Sequence, residues 1–275
     1  MNEQEKSAHQ YYLVGFFAIM IFFSVLYWGL NRQQESISQE LTSDHSTVYA
    51  QDSETFVDRV RYLSNRDGVV DIAVLGSSVT RGVGSTISQP VWGKLMEQEL
   101  NRLKGIRATV WNQGFNGFST TDLMVQGKIQ ETIELNPDIV IFELSLINNN
   151  RFPQNDLAQT KEELIATMNR FREALPETLV ILTSANPTIY NDVYLDDGVL
   201  TYEQYNEEIG AFVRNQAWPF IDIYTLMKDE IAETDLEVED YLYDAVHPNG
   251  DGYALWYSLL EDKFNQPLSV LSSPE

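Results

Sequence analysis

The chain has 275 residues, 43% of them hydrophobic, which is enough for one sizeable domain with accessory segments. Its 41 acidic against 18 basic side chains leave a net charge of −23 and a pI near 4.3, excluding a nucleic-acid-binding face and a basic patch docked on anionic lipid. With no cysteine, disulfides, thiolate catalysis and zinc–thiolate sites are excluded too, a composition that fits an exported bacterial protein.

The first element in chain order is not globular. Residues 11–30, "YYLVGFFAIMIFFSVLYWGL", carry no charge, and about 20 such residues as a helix cross the roughly 30 Å of hydrocarbon in a bilayer. Tyr11, Tyr12, Tyr27 and Trp28 sit at the two ends, where amphipathic rings prefer the membrane interface. The "NRQQES" that follows offers no small-x-small cleavage site, so residues 1–31 read as a short tail and an uncleaved single-pass anchor in the cell membrane. The bulk of the chain is expected outside the cell. Residues 32–53 are polar and aperiodic, a linker, and a folded domain is expected over 54–275.

Within that domain the periodicity alternates. "ETFVDRVRYL" has helical spacing and "VVDIAVLG" is a short apolar strand; "QPVWGKLMEQELNRL" is helical, "IRATVWNQG" strand-like and "TTDLMVQGKIQETIEL" helical again. "PDIVIFELSL" is the clearest buried strand, followed by the amphipathic helix "TKEELIATMNRFREAL". "TLVILTSA" and "WPFIDI" are strands flanking the helix "YEQYNEEIGAFVRNQ", and "GYALWYSLLEDKF" is the last helix. Strands separated by helices of this length predict right-handed crossovers, a mainly parallel sheet and a three-layer α/β/α domain. Trp92, Trp111 and Trp256 fall in apolar periodic stretches and are expected in the core.

Ligand sites in such sheets form at the carboxyl ends of the strands. Residues 76–80, "NQGFNG" and "LINNN" all fall there. Of three histidines, His9 precedes the apolar run, His45 lies in the linker, and only His247 belongs to the domain, in "YDAVHPNGDGY". Asp244, three residues earlier, can hold one ring nitrogen and leave the other as a general base. With cysteine absent, the hydroxyl nucleophiles on the same rim are Ser77, Ser78 and Thr80. "GVGSTI" lacks the third glycine of a dinucleotide fingerprint, no phosphate-binding P-loop occurs, and "GSSVT" is not the G-x-S-x-G elbow. The clustered Asp of "DVYLDDG" and "NGDGY" do not follow the spacing of a calcium-binding EF-hand.

These segments together resemble the SGNH, or GDSL-like, serine hydrolases, whose motifs recur in a fixed order on a flavodoxin-like sheet. "VLGSSVTRG" resembles the first motif and implies Ser78 as nucleophile. "NQGFNGFST" resembles the second and implies Gly117 as a backbone oxyanion donor. "PDIVIFELSLINNN" resembles the third and implies Asn148 as the side-chain donor, with Ser78 N–H as the remaining one; "DAVHPNGDGY" resembles the fifth and supplies Asp244 and His247. The likeness covers residues 70–264 or so. Ser77 and Asn149 stand where the family usually has Asp, and the connection before Asn148 is one residue longer.

The resemblance implies a carboxylic-ester hydrolase working through a Ser78–His247–Asp244 triad and an acyl-enzyme, on O-acetyl groups of a cell-wall or extracellular polysaccharide or on another small ester; with the uncharged run at residues 11–30 the enzyme is expected to be membrane-anchored. It implies no cofactor, no metal and no nucleic-acid partner; the membrane is reached through the N-terminal helix, and the oligomeric state stays open. An O-acyltransferase using the same triad, or a non-catalytic carbohydrate-binding module, are the alternatives.

Overall fold

The structure, a computed structural model, describes residues 54–151, 153–190 and 199–272. The expected anchor over residues 11–30 and the linker lie outside the described residues, as does "DVYLDDG". Among the described residues no helix is long and apolar enough to cross a membrane.

The domain begins with helix α1 (Phe56–Asp67), whose start is set by a capping box: Thr55 Oγ1 accepts the Asp58 N–H, and the Asp58 carboxylate accepts from Thr55. Strand β1 (Val70–Gly76) leads into the one-turn helix α2 (Ser78–Arg81), and α3 (Trp92–Arg102) returns the chain to β2 (Ala108–Gly114). Helices α4 (Thr120–Val125) and α5 (Lys128–Glu134) precede β3 (Ile139–Glu143); α6 (Leu146–Asn150) and α7 (Leu157–Ala174) precede β4 (Leu179–Thr183). Then come α8 (Tyr202–Asn215), β5 (Phe220–Ile221), α9 (Ile223–Ala232), a 3-10 turn at Val238–Tyr241, α10 (Gly250–Phe264) and α11 (Leu268–Leu271).

The strand order is β2-β1-β3-β4-β5 and every pairing is parallel. "DIAVL" and "DIVIF" are neighbours, in the register Ile72↔Ile139 to Leu75↔Phe142. Alternate side chains go to opposite faces, as the pleat requires. Ile72, Val74, Ile139, Ile141 and Ile181 pack under α1, α3 and α10, whereas Ala73, Leu75, Val140, Phe142 and Leu182 pack under α4, α7 and α8. Both faces are covered, which is why these strands read as continuous apolar runs. Two aromatic stacks pin α10: Trp92 on Trp256 at 5.6 Å and Phe56 on Phe264 at 3.9 Å between ring centroids. The loop bearing His247 is therefore tethered at its far end to a rigid helix.

Four expectations need correction. The helix expected over residues 120–135 is two helices, broken where Gly127 takes a left-handed conformation at φ 72°. The strand expected over 137–146 stops at Glu143; Ser145 turns the chain at φ 56° and Leu146 starts α6, which absorbs the longer connection. "WPFIDI" supplies only a two-residue strand, because the Asp222 carboxylate caps α9, a helix the alternation had concealed. Trp111 is 45% exposed, not core, because β2 is an edge strand; its Nε1–H donates to Asp71 Oδ1 at 2.9 Å.

Gly114 ends β2 against α2. A Cβ there would stand 2.1 Å from the Arg81 backbone nitrogen, an approach only a glycine permits. Gly114→Ala is expected to cost about 1–3 kcal/mol through forced displacement of backbone, read as a lower urea midpoint; an unchanged midpoint would contradict this packing.

Candidate active site

The strand order 2-1-3-4-5 puts a switch point between β1 and β3, where neighbouring strands send their connections to opposite faces and a crevice opens. Ser78 stands at its edge. Ser77 is the N-cap of α2 and Ser78 its first residue, so the Ser78 N–H belongs to the first turn and has no intrahelical acceptor. Ser78 Oγ lies 2.9 Å from His247 Nε2, across 169 residues of sequence. The other ring nitrogen, Nδ1, lies 2.8 Å and 3.0 Å from the two Asp244 oxygens. A carboxylate accepts only, so Nδ1 carries the proton and Nε2 is left to accept the Ser78 hydroxyl hydrogen.

Asp244 also accepts the N–H groups of Val246 and His247 at 2.8 Å each, closing a turn that holds the ring in place. Burial pushes its carboxyl up, but the His247 N–H, the His247 ring and the Val246 N–H outweigh that and hold it below the usual carboxylate range. Tyr243 N–H donates to His247 O, and Asn186 Nδ2 donates to Val246 O at 2.8 Å. Gly84, on the loop after Ser78, presses on the same turn: a Cβ there would stand 2.2 Å from Pro248 O. Asn249 ends the turn by accepting the Gly252 N–H as the cap of α10, which is the use the "NGDGY" segment finds here.

Under the serine turn lies a carboxylate. Glu143, at the end of β3, is fully buried. Its Oε2 accepts Ser77 N–H at 2.7 Å, Ser77 Oγ–H at 2.7 Å and Thr80 Oγ1–H at 3.2 Å, while Oε1 accepts Ser145 N–H at 2.7 Å. Burial pushes this carboxyl up; the hydrogen bonds from Ser77, Ser145 and Thr80 oppose the shift. An Asp at position 77 would set a second carboxylate against it in a dry site, where like charges are costly. Ser77 supplies a donor instead. Glu143 did not emerge from motif spacing, although a carboxylate interrupting the apolar run of β3 was a visible signal, since a buried charge requires donors.

A cavity of about 400 Å³ opens beside Ser78, lined by His247, Gly117, Asn148, Ile147 and Arg151 among others. Asn148 Nδ2 donates to Phe118 O at 3.0 Å, which uses one of its two amide hydrogens. Asn149 points the other way and is fully buried: its Oδ1 accepts Thr120 N–H, and its Nδ2 donates to Thr120 Oγ1 and Thr160 Oγ1. Only an amide both accepts and donates in that setting, so an Asp there would lose two bonds. Ser78, His247, Gly117 and Asn148 thus share one cavity and Asp244 stands behind His247, while Ser77 faces inward onto Glu143. Among the described residues no group of three or more acidic, His or Cys side chains gathers that could hold a metal ion.

Glu143→Gln turns one acceptor oxygen into a donor. Whichever way the amide faces, an NH₂ then meets the N–H of Ser145 or Ser77. The expected cost is about 1–3 kcal/mol, that of leaving a buried donor unpaired, measured as a lower urea midpoint. An unchanged midpoint would mean the carboxylate does not organise this turn.

Residues 74–255 match the GDSL-like lipase/acylhydrolase family. No curated protein sequence matches the chain. Among solved structures, an acetylxylan esterase from Geobacillus stearothermophilus superposes with a TM-score of 0.57 at 15% identity, over 72% of this chain and 95% of that one. A two-domain esterase active on acetylated mannans reaches 0.59 at 19% identity, over 81% of this chain and 56% of that one. A G-D-S-L lipolytic protein from Veillonella parvula reaches 0.53 at 18%, over 70% and 97%. At these identities the likeness is one of fold. The family assignment rests on the sequence match across the segment that carries all four motifs: the chain belongs to the GDSL-like lipase/acylhydrolase family.

Proposed function

We propose that the chain is a membrane-anchored serine esterase that removes O-acetyl groups from an extracellular or cell-wall polysaccharide. The observation that carries the chemistry is the continuous contact Ser78 Oγ–His247 Nε2–Asp244, with its single consistent tautomer. The polysaccharide part draws on the fold likeness to esterases described as acting on acetylated xylan and mannan. The anchor draws on the uncharged run at residues 11–30, which would keep the domain at the outer face of the cell membrane.

The geometry supports the following steps. Ser78 Oγ attacks the ester carbonyl carbon as its proton passes to His247 Nε2. The carbonyl oxygen becomes an oxyanion, met by the Ser78 and Gly117 N–H groups and the free Asn148 amide hydrogen. Collapse expels the alcohol oxygen, which takes the proton from His247, and leaves acetyl on Ser78. Water then repeats the sequence, giving acetate and free serine. Asp244 stays ionised throughout, as its lowered carboxyl pKa favours, and stabilises the imidazolium.

Ser78→Ala and His247→Ala are each expected to remove nearly all turnover of an aryl acetate, and the double variant to lose little more, since the two act as a unit. Asn148→Ala should lower kcat about 10²–10³-fold with a smaller change in KM, the loss of one oxyanion donor. Full activity in Ser78→Ala would refute the mechanism. Release of free acetate, with no acylated product when sugar acceptors are added, separates hydrolysis from acyl transfer.

A further inference from the structure

We infer that the cavity beside Ser78 selects esters whose alcohol part carries a carboxylate, such as acylated uronic-acid sugars, and that Arg151 is the residue that recognises it. The inference rests on the hydrolase reading of the same cavity and adds a substrate class to it.

Arg151 follows α6 immediately, three residues after Asn148, and lines the cavity with Ser78, Gly117 and His247. Its Nη1 stands 3.7 Å from where a Cβ on Gly117 would be, so the guanidinium lies over a residue that borders the reacting centre. Among the described residues it has no hydrogen bond or ion pair. That is notable in a chain with 41 acids and 18 bases, where cations readily find partners, as Arg66 does on Asp67, Lys128 on Glu131 and Arg214 on Asp222. Among the described residues the cavity wall holds no Asp or Glu. The described part of this wall thus presents a guanidinium with no acid among its lining residues.

The chemistry of that group narrows the ligand. A guanidinium presents a planar fork of donors that fits a carboxylate through two parallel N–H···O bonds, charge-assisted and about twice as strong as neutral ones. The net charge of −23 repels anions at a distance, but at physiological ionic strength charges beyond about 8 Å are largely screened. The local cation then decides which ester settles against Ser78. Neutral acetylated glycans leave the fork without an ionic partner.

The test uses the full chain and two matched aryl acetates, 4-acetoxybenzoate and its uncharged amide, alongside acetylated galacturonate and acetylated xylose oligosaccharides. The measured quantity is the ratio of kcat/KM for the charged over the neutral ester. Arg151→Gln is expected to lower that ratio about tenfold, the worth of one well-made charged contact, for both the aryl and the glycan pair. Arg151→Lys should fall between, keeping the charge without the fork. A ratio unchanged by Arg151→Gln overturns the inference while leaving the esterase intact. Binding of unacetylated galacturonate oligosaccharide, followed calorimetrically, reads the anion contact without turnover. Binding weakened by Arg151→Gln supports the contact even if no ester is cleaved, an outcome that would sink the esterase proposal alone; no binding, or binding indifferent to the substitution, overturns the contact.

Discussion

A buried carboxylate at the junction of two strands organises this active-site rim. Glu143 ends β3, and Ser77 begins the turn that ends β1; the hydrogen bonds between them hold the two strand ends at a defined separation where the sheet changes direction. Removing a carboxylate from water costs several kcal/mol. The structure offsets that cost with two backbone N–H groups and two hydroxyls, all directed at one side chain. Those donors belong to the turn that carries Ser78 and the loop that leads to Asn148. The same bonds that satisfy Glu143 thereby set the positions of Ser78 and of the loop leading to Asn148.

The second carboxylate works under opposite conditions. Asp244 is partly exposed and fixed by local N–H groups, and its pKa falls where that of Glu143 rises. One acid braces the scaffold and the other holds the His247 ring. Environment separates their roles, as it does wherever two carboxyls in one site must behave differently. The His247 loop is in turn braced by Asn186, by the close approach of Gly84 and by α10, which two aromatic stacks hold to the core. Chemistry at the rim thus depends on packing well away from it.

Much of this was legible in the sequence. The parallel sheet followed from strands such as "IVIF", apolar throughout because both faces are covered. His247 and its neighbour Asp244 stood out because only one histidine falls in the expected domain, whereas Ser78 was separated from Ser77 and Thr80 only by the resemblance; the structure sets these three side chains, Ser78, His247 and Asp244, in contact. Elements whose periodicity is ambiguous were less legible. Ile221 and Ile223 alternate like a strand although Asp222 caps a helix between them, and Trp111 looks like core until its strand proves to be an edge. Glu143 and Asn149 were missed as structural ties because a satisfied buried polar group depends on donors distant in sequence, here 66 residues for Ser77 and 29 for Thr120. Spacing along the chain carries no record of such partners.

The central claim is that Ser78, and not its buried neighbour Ser77, is the nucleophile activated by His247. Treating the full chain with diisopropyl fluorophosphate and mapping the adduct by fragmentation mass spectrometry tests it directly, because only an activated serine reacts. The account predicts stoichiometric phosphorylation of Ser78 that disappears in His247→Ala, with Ser77 unmodified. Label on Ser77, or no label on either serine, would contradict it.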